Sequence, residues 1–358
     1  MLEVLGPATG GIRRHVAALA DGLERRGWVV EVAGPHGVME GLRSLDHALP
    51  ITRQPRSAVA AIARLRTLAS TVDLVHAHGL TAGWLSSCAV PRTPLVVTIH
   101  NVVLDEVEGR WAPLLRKLED RLPQRADAVI AISNSVARRF SGLRGSDRFV
   151  VVPPVSPGSL STRPAHEMRA ELGVPTGSSL VLLVGRLHPQ KDIPNLLEAA
   201  ARLRPAHPDL VVAIAGGGPQ RAALEGRVRS HGLDSTVQFL GQRSDVPDLM
   251  AAADVVVMCS IWEGHGLVVG EALSLGRPLV ATAVGPVADL VMDGVTGRLV
   301  PPADPPALAA AIGDLLDDPL AARRMGQAGA ERMQTTMSPD ALVDQVAEVY
   351  RRLLEAKP

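Results

Sequence analysis

Leu180-Val-Leu-Leu-Val184-Gly185-Arg186-Leu-His-Pro-Gln-Lys191-Asp192-Ile193 decides the fold class. An unbroken apolar run enters a glycine, passes two cations, and meets a helical pattern beginning near Ile193. A strand without polar alternation is buried on both faces, as in a parallel sheet covered by helices. The same pattern recurs on either side. Upstream stand Val29–Ala33, Asp73–Ala77, Leu95–Ile99, Ala128–Ile132 and Phe149–Val152. Downstream stand Leu210–Ala215, Thr236–Leu240, Asp254–Met258 and Pro278–Thr282. Strands alternating with helices give an α/β protein.

Between the two series lies Val152-Pro-Pro-Val-Ser-Pro-Gly-Ser-Leu-Ser-Thr-Arg-Pro164, whose proline, glycine and serine mark a linker. The expected organisation is a domain over 1–154 and a second over 155–338. Each is long enough for its own core. Both should be doubly wound, Rossmann-like sheets facing a cleft at their strand C-termini, where open α/β sheets bind ligands. Residues 339–358 read as an amphipathic helix with Leu342, Val346, Val349 and Leu353 on one face. Packing back on the N-terminal domain is one of its two options. Near the start, Gly10-Gly11 precedes Ile12, Val16, Leu19, Ala20 and Leu23 on one helical face, and Gly27 supplies a stop.

Composition narrows the function. The chain is 46% hydrophobic and 21% charged, hence globular, and its formal net charge of zero argues against a nucleic-acid partner. Residues 1–154 carry 19 Lys+Arg against 14 Asp+Glu, leaving 18 against 23 for the rest. A mildly basic first half suits an acidic acceptor or an anionic membrane face. Its candidate contacts are the basic segment Pro55–Ser70 and the apolar stretch Trp111–Leu115. Two cysteines without a CxxC spacing fit a reducing compartment. No apolar run reaches the ~18 residues of a membrane span, and no secretion signal is visible. The expected location is the cytoplasm, with peripheral contact at the inner membrane face.

Several cofactor motifs are missing. The first turn, Gly6-Pro-Ala-Thr-Gly10-Gly11, does not fit G-x-G-x-x-G, and Lys191 lacks the flanks of a P-loop. No Asp-x-Asp pair occurs, which weighs against a divalent-metal transferase. His76 and His78 form a His-x-His pair with no third ligand nearby in sequence, so no metal and no cofactor are expected.

What remains suits an anionic, hydroxyl-rich ligand. Arg186 and Lys191 follow a strand C-terminus, and only three lysines occur in the chain. Without a metal, such cations must stabilise the charge that grows on a departing diphosphate. Glu263 and Glu271, in Glu-Gly-His265-Gly266-Leu267-Val268-Val-Gly-Glu-Ala, are carboxylates suited to sugar and ribose hydroxyls. A helix beginning near Leu267 would add N–H groups for an anion. His100 ends a strand and can hydrogen-bond a sugar hydroxyl or a phosphate. Gly10-Gly11 and Gly216-Gly-Gly-Pro219 allow close backbone approach to phosphate, although each also serves as an ordinary tight turn.

Taken in order, Gly10-Gly11, His100, Gly185-Arg186…Lys191, Gly216-Gly-Gly-Pro, Glu263-Gly-x-Gly-Leu…Glu271-Ala, Gly276-x-Pro-Leu-Val-Ala-Thr282 and Asp293-Gly-x-Thr-Gly297 resemble glycosyltransferase family 4. The resemblance implies a retaining, metal-independent GT-B hexosyltransferase. Its donor would be a UDP- or GDP-linked sugar and its acceptor an unidentified, lipid-linked or cell-envelope glycan precursor. It implies Arg186 and Lys191 on the diphosphate, Glu271 on the ribose, and Glu263 on the transferred sugar. Gly266, Leu267 and Val268 would offer backbone groups, Gly11 would meet phosphate, and His100 would sit near the reacting carbon. Arg243, in Gly241-Gln-Arg243, would border the base. His265 stands where that family most often has an aromatic, which bears on the sugar pocket. Two alternatives share the fold: a nucleotide-sugar 2-epimerase, and a non-catalytic nucleotide-sugar-binding protein.

Overall fold

The computed structural model describes residues 1–7, 11–35, 47–51, 55–90, 92–100, 102–103, 111–153, 161–264 and 266–356. Most of the linker, residues 154–160, lies outside this set, as do Gly10 and His265. The chain divides into two compact units. One is Met1–Pro157 with Met337–Pro358, and the other is Gly158–Thr336.

In the first unit, β1 (Leu2–Leu5), β2 (Glu31–Gly34), β3 (His47–Ala48), β4 (Val75–His78), β5 (Leu95–Ile99), β6 (Ala128–Ala131) and β7 (Phe149–Val151) form a sheet of order β3-β2-β1-β4-β5-β6-β7. Every pairing among them is parallel. Alternate residues enter opposite cores, which is why the strands carry no polar alternation. Val75, Ala77, Val97 and Val129 face a core that also holds Leu65 and Phe140. Leu74, Val96, Ala128 and Ile130 face another core. That second core is closed by the helices Gly11–Glu24 and Pro339–Glu355.

The last helix therefore belongs to the first unit. Its Leu342, Val343, Val346, Val349 and Tyr350 pack with Val16, Leu19 and Leu23. Gly22 lets the two helices approach closely: a Cβ there would lie 2.6 Å from Val343 Cγ2. At the rim, Arg26 Nε donates to Asp344 Oδ1 at 2.6 Å, and Arg26 Nη2 donates to the Asp340 carbonyl at 2.9 Å.

The second unit contains β8 (Leu180–Val184), β9 (Val211–Ala215), β10 (Val237–Gly241), β11 (Val255–Met258), β12 (Leu279–Thr282) and β13 (Arg298–Val300), in the order β10-β9-β8-β11-β12-β13. This sheet too is parallel throughout. One face packs Leu183, Ile214, Val257 and Val280 against the helices Ile193–Leu203 and Pro305–Asp317.

Both sheets reverse direction of winding once, between β1 and β4 and between β8 and β11. Such switch points are where doubly wound sheets bind ligands.

Two differences from the sequence reading have simple causes. The strand expected at Val29–Ala33 begins at Glu31, because the Val29 carbonyl accepts the N-terminal ammonium at 2.7 Å and its side chain is exposed. Strands β3 and β13 have no counterpart among the apolar runs of the sequence. They are short edge strands, and each mixes polar with apolar residues.

Candidate functional site

At the switch point of the second sheet, the segment after β8 is laced to the segment after β11. The Ile261 N–H donates to the Gln190 carbonyl at 2.9 Å, and Gln190 Nε2 donates to the Trp262 carbonyl at 3.0 Å. Cys259 Sγ lies 3.2 Å from the Lys191 carbonyl. These ties bring Lys191 Nζ onto Glu263 Oε1 as an ion pair, with both side chains largely buried. Ser260 Oγ donates to the same oxygen at 2.7 Å. In turn the Ser260 carbonyl accepts from Thr282 Oγ1 at 2.6 Å. The lysine stem lies over Gly185, where a Cβ would come within 3.2 Å of it. Arg186 is exposed beside this pair in sequence.

Gly216 and Gly218 have a packing role. The Leu187 N–H donates to the Gly217 carbonyl at 3.0 Å, and the Gly185 N–H donates to the Ala215 carbonyl at 2.9 Å. Gly216 has φ +148°, and a Cβ on it would overlap the Gly185 carbonyl oxygen. Close approach to the Gly185–Leu187 backbone accounts for both glycines.

Gly266, at φ 63°, turns the chain into the helix Leu267–Ser274. The first-turn N–H groups of Leu267 and Val268 have no acceptor within their own helix, which suits them to an anion. Glu271 sits one turn further on, half-buried.

Arg243 stands apart from this group. It follows β10, an edge strand separated from β8 by β9. Its Nε donates to Asp245 Oδ1 at 2.8 Å, and its Nη2 to Glu171 Oε1 at 2.7 Å. Hydrogen bonds to Asp245 and Glu171 raise its pKa further. The guanidinium expected beside a base is thus held by two carboxylates.

In the first unit, Gly11 opens the helix after β1. His100 follows β5 and is buried within a cluster that the sequence did not disclose. His100 Nε2 lies 3.0 Å from His78 Nδ1, and His78 Nε2 lies 2.6 Å from Glu3 Oε2. Tyr350 Oη donates to Glu3 Oε1 at 3.2 Å and lies 2.6 Å from His76 Nδ1. His76 Nε2 meets Thr98 Oγ1 at 2.6 Å. The ring of His15 stands edge-on to His78 and His100, at 5.6 and 5.3 Å between centroids.

Burial raises the Glu3 pKa, but His76 and His78 outweigh it and hold the carboxyl well below its usual range. Burial, and then His76, pushes His78 down to about 4.

The His-x-His pair does therefore have further ligand-type neighbours. Ligand atoms of His15, His78 and His100, and separately those of Glu3, His76 and His78, lie within 4.8 Å of one another. No third ligand lies near His76 and His78 in sequence, but folding brings Glu3, His15 and His100 to them in space. The one visible signal was Glu3, a carboxylate inside the otherwise apolar β1.

Two doubly wound parallel units with these switch points match solved GT-B glycosyltransferases. Residues 9–155 match the family described as Glycosyltransferase Family 4, and residues 165–332 match Glycosyl transferases group 1. A relative from Thermomonospora curvata, named D-inositol 3-phosphate glycosyltransferase, is 36% identical over 312 residues, covering 78% of this chain and 71% of the relative. A Mycobacterium tuberculosis protein named glycogen synthase is 30% identical over 290 residues, covering 78% and 68%. Anabaena HepE in complex with UDP superposes with a TM-score of 0.84 at 25% identity, covering 98% of this chain and 99% of that one. The chain belongs to glycosyltransferase family 4. It is a glycosyltransferase with a nucleotide-sugar-binding GT-B fold.

Among the described residues, no helix is long and apolar enough to cross a membrane.

Proposed function

We propose that this chain is a retaining hexosyltransferase that uses a UDP-sugar without a metal. The observation that carries the reading is the Lys191–Glu263 pair at the switch point of the second sheet. An ammonium has three N–H donors. Glu263 engages one and fixes the head group, and the others serve the diphosphate. Arg186 is the second cation on that group. Glu263 also contacts the transferred sugar, Glu271 takes the ribose hydroxyls, and Gly266, Leu267 and Val268 supply backbone N–H groups. His265 shapes the sugar pocket. In the first unit, Gly11 is assigned to phosphate and His100 to a substrate hydroxyl. Arg243 remains a candidate for the base only if its ion pairs open.

In the reaction, the bond between the anomeric carbon and the β-phosphate oxygen breaks. The acceptor oxygen bonds that carbon on the same face, and its proton passes to the departing phosphate oxygen. Arg186 and Lys191 stabilise the charge on that oxygen while it forms. HepE is described in complex with UDP and with UDP-glucose, which supports uridine as the base. For the acceptor, the relatives' names supply a phosphorylated polyol and a glucan. The basic residue excess of 1–154 favours the phosphorylated one.

The test is a thermal-shift series with UDP, GDP and UDP-glucose, followed by UDP release assayed with D-inositol 3-phosphate, glycogen or a lipid-linked glycan precursor. The expected result is a Tm rise with UDP, and UDP release only when an acceptor is present. An altered sugar without nucleotide release would point to an epimerase. Binding with neither outcome would point to a non-catalytic protein. No Tm change with any nucleotide would remove the reading altogether.

A further inference from the structure

Three contacts in successive register tie the segment after β8 to the segment after β11. The Gln190 carbonyl accepts from the Ile261 N–H at 2.9 Å, Gln190 Nε2 donates to the Trp262 carbonyl at 3.0 Å, and Lys191 Nζ pairs with Glu263 Oε1. Of these, the middle contact alone depends on the Gln190 side chain, which is buried. It joins the residue before Lys191 to the residue before Glu263. A shift of the Trp262 peptide therefore moves Glu263 directly.

The turn that carries Lys191 is held under strain. Pro189–Lys191 is a short 3-10 turn, and it ends at Asp192 with φ 44°. A non-glycine residue in the left-handed region is strained, and it persists where its surroundings over-determine it. Here the Asp192 N–H donates to the Pro189 carbonyl at 3.1 Å, and the Asp192 carbonyl accepts from the Asn195 N–H at 3.0 Å. Cys259 Sγ lies 3.3 Å from that same carbonyl. These contacts hold the turn to its own helix and to the end of β11. They do not reach Trp262 or Glu263. Ser260 Oγ, in turn, ties the Glu263 carboxylate only to its own segment. The Trp262 peptide is fixed to the Lys191 turn through the Gln190 amide.

We infer that Gln190 is a positioning residue: its side-chain amide holds the Trp262 peptide against the Lys191 turn, and so sets the Lys191 ammonium and the Glu263 carboxylate in place before a ligand binds. The effect on sugar transfer rests on the glycosyl-transfer reading above; the effect on the ion pair does not. A misplacement of about 1 Å in a positioned group costs on the order of 100-fold in rate. Gln190→Met keeps the length of the side chain and removes the amide. The main-chain bond from Ile261 to the Gln190 carbonyl survives it. That substitution therefore isolates the amide from the rest of the lacing.

The experiment is trace labelling of the whole chain with acetic anhydride, without ligand, read by mass spectrometry of the lysine peptides. Lys117 is exposed and serves as the internal reference. Lys191, with its side chain 15% exposed and engaged by Glu263, should label about tenfold more slowly than Lys117 in the wild type. In Gln190→Met that protection is expected to fall about threefold or more. In parallel, kcat/KM should fall about tenfold in Gln190→Met, but less than about threefold when Lys191 is already alanine. A merely loosened fold would lower both backgrounds equally, and that result would overturn the inference. So would unchanged protection in Gln190→Met, or a wild-type Lys191 that labels as fast as Lys117. Gln190→Asn keeps an amide but is one methylene shorter than the span to Trp262 requires. It should behave like Gln190→Met, and it takes its place if that variant does not fold. Should protection change as expected while the wild type transfers no sugar, the function reading fails and the positioning role stands. Sugar transfer with unchanged protection has the opposite meaning.

Discussion

Lys191 and Glu263 form an ion pair across the switch point of the second sheet, although 72 residues separate them. One residue follows β8 and the other follows β11, adjacent strands in that sheet. Pairing a lysine with a carboxylate at the mouth of a parallel sheet holds a cation in place before any ligand arrives. Preorganised charge of that kind is what a departing diphosphate requires.

Lys191→Ala should lose at least ~2 kcal/mol of transition-state stabilisation, roughly a 30-fold drop in kcat/KM. The same variant strips Glu263 of its counter-ion, so the Lys191→Ala, Glu263→Gln double variant should be less than additive. Steady-state kinetics of the three variants checks both statements. Near-wild-type turnover in Lys191→Ala would remove the ammonium from the mechanism.

Ser260→Ala removes a 2.7 Å hydrogen bond to Glu263 and leaves the ion pair. One hydrogen bond to a charged group contributes about 1.5–3 kcal/mol. A rise in donor KM of about tenfold or more is expected, with the Tm lowered by only a few degrees. An unchanged KM would mean that Lys191 alone positions the carboxylate.

Glu119 gives the first unit a pH dependence. Burial pushes its carboxyl up to about 7, while the Val103 N–H and Arg139 oppose that rise. A carboxyl with a raised folded-state pKa binds its proton more tightly when folded, so stability falls as pH climbs from about 4.5 through about 7. The loss is about 2 kcal/mol. Glu119→Gln keeps an acceptor for Val103 and removes the titration. Urea midpoints at pH 5 and pH 8 should converge in that variant. Equal midpoints in the wild type would contradict the assignment.

Gly216→Ala should be severely destabilising. Its φ of +148° is strained for alanine, and the new Cβ would overlap the Gly185 carbonyl oxygen. A cost of about 3 kcal/mol or more is expected, with displacement of the Gly185–Arg186 backbone. A urea midpoint close to wild type would show that the β8 and β9 turns can separate at little cost.

Much of the architecture is legible in the sequence. Runs such as Leu180–Val184 and Leu95–Ile99 announce parallel strands because both faces must be buried. Their C-termini then locate Lys191, Glu263 and His100, since short βα turns place residues at the sheet edge. Edge strands β3 and β13 carry no such run for the converse reason: an edge needs little apolar sequence.

Sequence by itself determined the α/β class, the family and the strand ends at which the candidate residues lie, because burial periodicity and short turns are local. Tertiary structure alone decided what those residues touch. It placed Lys191 on Glu263, and it assigned the Arg243 guanidinium to Asp245 and Glu171. It also gathered Glu3, His76, His78, Thr98, His100 and Tyr350 into one hydrogen-bonded cluster, with Tyr350 and Glu3 347 residues apart. No spacing rule spans that distance. The cause is physical: a buried carboxylate is tolerated only where enough donors converge on it. In this chain the donors come from a neighbouring strand and from the C-terminal helix packed over the same face of the sheet.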